Sequence, residues 1–187
     1  MIVIGLVGLQ GSGKTETVKV LERLGAEWVR MGDVVWKELE KRGQEINEAN
    51  VGRLAEELRK VEGMGAVAKR CVPIIREKKS DVVVVDGIRG IAEVEEFRKA
   101  FGDDFHLWAV WASERDRYSR IAGRKRQDDV TGLEEFRRKD RRELGWGLGE
   151  AFALAEVMIV NDGSLEDLRK KVEKAFLETV GKVEGKS

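Results

Sequence analysis

Eight residues near the start, Gly8-Leu9-Gln10-Gly11-Ser12-Gly13-Lys14-Thr15, constrain this chain more than any other segment. They follow an apolar run, Ile2–Val7, and lead into a helical pattern over roughly 14–24. A buried strand therefore turns through glycines into a helix, the setting that gives the pattern GxxxxGK[ST] its meaning. The glycines let successive backbone N–H groups point inward around β- and γ-phosphates. The helix N-terminus adds a dipole of the right sign. Lys14 neutralises phosphate oxygens, and Thr15 offers its hydroxyl to Mg²⁺. A dinucleotide turn is excluded, because its third glycine would fall at position 16, where Glu16 stands. Gly8, Leu9, Gln10, Gly11, Ser12, Gly13, Lys14 and Thr15 thus read as a site for a nucleoside triphosphate such as ATP with Mg²⁺.

The rest of the chain fits the fold this loop requires. Continuous, often β-branched runs at Ile2–Val7, Asp81–Val85, Phe105–Trp111 and Val157–Val160, with a weaker one at Glu27–Met31, read as buried parallel strands. Helical patterns lie between them, at about 34–42, 47–62, 64–78, 90–100, 113–122, 132–144 and 164–179. That alternation predicts one α/β domain over residues 1–187, a parallel sheet between helical layers. Two stretches exceed what a crossover needs. Residues 33–79 hold about three helices, and residues 120–142 are dense in arginine and lysine.

Composition removes several function classes. The 35 Lys+Arg balance 35 Asp+Glu, which argues against a generic nucleic-acid coat or a membrane-surface binder. One cysteine, Cys71, excludes a disulfide scaffold, and one histidine, His106, leaves little room for His-based triads or metal clusters. Both are read as packing residues. The N-terminal apolar run lacks a basic leader and enters the glycine turn directly, so a cytoplasmic protein without a membrane partner is expected. Few Asn, Gln and abundant Glu, Lys and Arg fit a thermophilic source.

Further constellations concern what the nucleotide acts on. The acid of Asp81-Val-Val-Val-Val-Asp86, at a strand end beside the loop, is placed to hold Mg²⁺ or its waters. Met31-Gly32-Asp33 offers a carboxylate that either orients an acceptor or serves as a helix N-cap. Arg89, in Asp86-Gly87-Ile88-Arg89, lies past the carboxyl end of a strand, where a guanidinium suits an acceptor's phosphate. The run Arg120-Ile-Ala-Gly-Arg124-Lys-Arg126, with Arg137 beyond it, has the make-up of a lid that brings arginines to a transferring phosphoryl group. From Arg115 to Arg126 there are six basic residues against one acid, so the neutral total hides a local positive element.

Together the phosphate loop, the MGD, the DGIR and the RIAGR…RQDD segment resemble nucleoside monophosphate kinases of the adenylate kinase type. The C-terminal Ile-Val-Asn161-Asp-Gly-Ser before a helix is more similar to dephospho-CoA kinases. Over its whole length the chain resembles archaeal P-loop kinase-like proteins related to both. The resemblance implies a three-layer α/β/α P-loop NTPase fold with a five-stranded parallel sheet of order 2-3-1-4-5. It also implies an acceptor lobe at about 33–79 and a short lid at about 120–142. Two departures bear on the acceptor: the family's arginine three residues after the GD is Trp36 here, and the DG loop lacks its proline. Trp36 either stacks on a substrate base or packs within the lobe. The expected function is a kinase carrying the γ-phosphoryl of Mg·ATP to a nucleoside monophosphate or dephospho-CoA. Its catalytic residues would be Lys14, Asp33, Arg120, Arg124, Arg126 and Arg137, with Asp33, Trp36 and Arg89 on the acceptor, and Thr15 and Asp86 on the metal. The alternative is a regulatory or RNA-associated ATPase with no small-molecule acceptor.

Overall fold

A computed structural model describes residues 1–124 and 132–185, apart from the side chains of Glu48, Arg124, Lys182 and Glu184. Five parallel strands form one sheet: β1 (Ile2–Val7), β2 (Glu27–Arg30), β3 (Val82–Ile88), β4 (Phe105–Trp111) and β5 (Val157–Val160). Their order is β2-β3-β1-β4-β5, the order the family resemblance implies. Every residue of β1 is buried, as expected for a central strand covered on both faces. The helices are α1 (Lys14–Arg23), α2 (Met31–Lys41), α3 (Glu48–Glu62), α4 (Ala66–Arg76), α5 (Ile91–Phe101), α6 (Glu114–Arg124), α7 (Leu133–Gly145), α8 (Leu148–Ala153) and α9 (Leu165–Glu184).

Alternate residues of the strands feed two cores. Val3, Val7, Val83, Val85 and Leu107 pack with α2 to α5 and α8, whereas Ile4, Leu6, Val82, Val84 and Trp108 pack with α1 and α9. Trp108 is fully buried, but Trp28 and Trp111 are exposed and contribute little to packing. Cys71 is buried in the first core, and desolvation, the largest cause, pushes its thiol up to about 12. His106 is partly buried and shares a proton-bearing contact of 2.9 Å between Nδ1 and Glu156 Oε2.

Three local expectations need correction. The strand placed at 81–85 runs on to Ile88, so Asp86 lies within β3 rather than at its end. It pairs there with Leu6 on one side and Arg30 on the other, and the register slips by one residue just beyond. Between the helical patterns placed at 132–144 and 164–179 lies a further short helix, α8, seated by the buried Leu148 and Ala151. Asp33 is not an N-cap. Helix α2 already starts at Met31 with Arg30 in the capping place, which puts Asp33 in the first turn.

Candidate active site

The loop after β1 is held by close approaches that only glycine permits. A Cβ on Gly8 would come within 2.5 Å of the Val110 carbonyl oxygen, and one on Gly11 within 2.7 Å of that of Arg117. Gly13 has φ of +117° and would put a Cβ 2.4 Å from Asn161 Nδ2. The loop backbone is thus wrapped by its neighbours, and its open side forms a cradle at the start of α1. Lys14 Nζ lies in that cradle and donates to the carbonyls of Gly8 and, at 3.3 Å, Leu9. Burial strips water from the ammonium and lowers its pKa from the ordinary lysine value; the carboxylates of Asp86 and Glu143 partly offset this, and Arg89 and Arg117 add to it. An ammonium held this way gains from a polyphosphate that returns the lost solvation.

Three buried oxygens near the cradle have no hydrogen-bond partner among the described residues, Asp86 Oδ1, Ser12 Oγ and Glu143 Oε2. Buried oxygens of this kind are costly unless something fills their need. A divalent cation at the Asp86 carboxylate, with Thr15 at the start of α1 as the second oxygen donor, fits this chemistry. Thr15 is exposed and so accessible to it. The residues present suit Mg²⁺ and a polyphosphate.

A set of side chains that sequence reasoning missed fastens this loop to the segment around 113–145. Arg117, buried, donates to the Gln10 carbonyl at 3.2 Å and forms an ion pair of 2.7 Å with Asp140 on α7. Gln10 Nε2 in turn donates to Asp140 Oδ1 and to the Phe136 carbonyl. Arg120 was expected to face the transferring phosphoryl group. Its guanidinium instead donates to the Gly11 carbonyl at 3.3 Å and to the Asn161 carbonyl at 3.0 Å. Asn161 completes the frame by donating from Nδ2 to the Ser12 carbonyl at 2.8 Å. Sequence alone links none of these, since Asn161 and Ser12 stand 149 residues apart.

The other expected residues fall into two groups. Arg89 sits just past β3 and is engaged by Glu143 of α7 at 2.7 Å; the carboxylate is buried and the guanidinium about one third exposed. The Arg89 N–H donates to Glu93 at 2.6 Å, and the other oxygen of Glu93 holds Arg59 of α3, whose guanidinium lies 4.7 Å from the Trp146 ring centre. Asp33 and Trp36 meet at the end of β2, where both touch Arg30. Arg137 pairs with Glu114, which ties α6 to α7 at their surface. Arg126, and the side chain of Arg124, lie outside the described residues.

Comparison with known proteins shows the family and the fold. A protein of Methanosarcina mazei described as "UPF0200 protein" is 49% identical over 92% of both chains. The chain belongs to the UPF0200 family. A "UPF0200 protein" of Thermococcus kodakarensis is 40% identical over 98% of this chain and the whole of that one. A "UPF0200/UPF0201 protein" of Archaeoglobus fulgidus is 50% identical over 98% of this chain, which spans 58% of that relative's length. The AAA domain family matches residues 7–137 of this UPF0200 protein, from the end of β1 into α7. Among solved structures, a gluconokinase from Sinorhizobium meliloti is similar over 100% of this chain and 97% of that one, with a TM-score of 0.63 and 13% identity. A shikimate kinase from Acinetobacter baumannii in complex with shikimate is similar over 95% and 94%, with a TM-score of 0.58 and 19% identity. At such identities the likeness concerns the fold: this UPF0200 chain has the fold of P-loop small-molecule kinases. No helix among the described residues is long and apolar enough to cross a membrane.

Proposed function

We propose that the protein transfers the γ-phosphoryl group of ATP to a small nucleotide-like acceptor, a nucleoside monophosphate or dephospho-CoA. One observation carries the reading: the Lys14 ammonium sits among loop carbonyls in the field of Asp86, whose buried Oδ1 has no partner among the described residues. In it, the loop N–H groups from Gly11 to Thr15 and Lys14 bind the β- and γ-phosphates. Thr15 and Asp86 would hold Mg²⁺, whose charge would offset the repulsion among the phosphate oxygens. The acceptor oxygen attacks the γ-phosphorus, the bond to the bridging oxygen breaks, and ADP leaves with that electron pair. A monophosphate acceptor attacks with an oxygen that is already ionised. A ribose hydroxyl must lose its proton, and Asp33 is the carboxylate assigned to take it.

The acceptor lobe would comprise α2 to α4, and the lid the segment 120–142 with Arg124 and Arg126 as its phosphate-directed cations. Arg120 and Arg137 take different parts from those their sequence position suggests. Arg120 frames the loop from behind, and Arg137 pins the two arms of the lid to each other. Arg89 would present its exposed edge to an acceptor phosphate while Glu143 holds the other edge. The RNA-associated alternative relied on the basic run from Arg115 to Arg126. Two of its cations, Arg117 and Arg120, are turned inward onto loop carbonyls, which leaves less of the run for an RNA backbone.

The test is an acceptor panel. Mg·ATP is incubated with the protein and each nucleoside monophosphate or dephospho-CoA in turn, and ADP release is followed. ADP release that depends on one acceptor is the expected outcome. Steady hydrolysis indifferent to every acceptor refutes the kinase, and a steeply salt-dependent RNA affinity then favours the rival.

A further inference from the structure

The carboxyl end of β2 holds a cation that sequence reasoning did not single out. Arg30 is the last residue of β2 and stands in register with Asp86 on β3. Neighbouring strands lie about 4.8 Å apart, so its backbone is one strand from the carboxylate assigned to the metal. Its guanidinium does not trail into solvent. The Nε donates to Asp33 Oδ1, and one terminal nitrogen forms an ion pair with the same oxygen. The guanidinium carbon lies 4.0 Å from the centre of the Trp36 ring. Arg30, Asp33 and Trp36 follow at intervals of three, which puts the two partners on one face of the first turns of α2.

Each partner removes freedom from the guanidinium in a different way. Asp33 fixes the Nε edge and Trp36 covers one face, which leaves the Nη1 nitrogen without a partner among the described residues. A planar donor fork anchored at one edge and one face is pre-organised to bind an oxyanion with what remains. Gly32, between Arg30 and Asp33, adds no side chain, and a Cβ built on it would meet no atom within 4 Å. The Asp33 charge and the guanidinium offset each other, so an arriving anion gains net attraction only through directed hydrogen bonds. That favours a ligand with several oxygens on one centre.

We propose that Arg30 is the receptor for the anionic group of the acceptor, a phosphate or a carboxylate, and that Asp33 and Trp36 position it. Trp36 is then a support beneath the guanidinium and not a stacking surface for a base. This inference rests on the proposed function for the word acceptor, but its test does not depend on turnover.

The test is calorimetry on the full chain with Mg²⁺ and a non-hydrolysable ATP analogue. The titrants are AMP, dephospho-CoA, gluconate and shikimate, with adenosine as the uncharged control. The expected result is that at least one anion binds and adenosine binds far more weakly. Arg30→Gln should weaken that anion by roughly 10- to 100-fold, the loss of a charged hydrogen-bond donor. Arg30→Lys should restore part of it, and affinity for the ATP analogue should stay within about twofold in both variants, which shows that the fold and the loop survive. Binding by AMP or dephospho-CoA assigns the anion as phosphate, and binding by gluconate or shikimate assigns it as carboxylate. The proposal is overturned if none of the four anions binds, or if the Arg30→Gln variant binds them as the parent does. An anion that binds through Arg30 without acceptor-dependent ADP release would leave this inference standing and remove the kinase reading.

Discussion

Replacing Arg117 by methionine tests how the phosphate loop is fastened to α7. Arg117 and Asp140 are both more than nine-tenths buried and paired at 2.7 Å. Removing one member of a buried pair leaves the other charge uncompensated, at about 3–5 kcal/mol. Asp140 keeps one donor, Gln10 Nε2 at 3.2 Å, and methionine still packs on Phe136, where the guanidinium lay 5.0 Å from the ring centre. The cost should therefore fall near the lower limit, about 3 kcal/mol. Adding Asp140→Asn removes the stranded charge and preserves an acceptor for Gln10. Since uncharged replacements of buried pairs are often close to neutral, the double variant should recover about 2 kcal/mol of the loss. Urea unfolding reads both numbers as shifts in midpoint at constant slope. Binding of a non-hydrolysable ATP analogue reports on the loop, because Arg117 also holds the Gln10 carbonyl. A loss below about 1 kcal/mol for Arg117→Met, or a double variant damaged by the sum of both changes, would refute the reasoning.

Three further outcomes are expected. Lys14→Ala should abolish ATP turnover with an unchanged urea midpoint or a slightly raised one, because it removes a desolvated ammonium; near-normal turnover would exclude the phosphate role. Because burial lowers the pKa of Lys14, the folded state binds fewer protons there than the unfolded chain, and phosphate binding draws the proton back. Affinity for the ATP analogue should thus begin to fall at a pH below the ordinary lysine value of about 10.4 in the parent and stay flatter in Lys14→Arg, whose guanidinium keeps its charge; identical pH profiles would count against this. Cys71, buried with its thiol pushed up to about 12, should resist alkylation at pH 8 in the native protein and react only on unfolding.

The phosphate loop was legible from the sequence because its chemistry is local: a strand, three glycines, a lysine and a helix in sequence order. The strand order followed from the family resemblance, and β1, β4 and β5 have the bounds their apolar runs predict. The arginines were harder. Composition says that 115–126 is basic, but not that Arg117 and Arg120 turn inward onto the loop. Glu143 and Asp140 carried no signal, and nothing tied Asn161 to the loop, because their partners lie 23 to 149 residues away in sequence. Arg30 was hidden for a different reason: it ends a strand, and its importance comes from Asp86 beside it on another. A capping role for Asp33 stood beside the acceptor role because the start of α2 was set three residues late.

The hydrogen bond from Asn161 to the Ser12 carbonyl also bears on how the protein comes into being. A ribosome releases the Ser12 of the glycine loop 149 residues before Asn161. Until β5 docks beside β4, the loop lacks both the amide that holds Ser12 and the Asn161 carbonyl that anchors Arg120. A nascent chain therefore carries the sequence of a phosphate site well before it has the shape of one. The cradle takes its described form only in chains whose sheet includes β5.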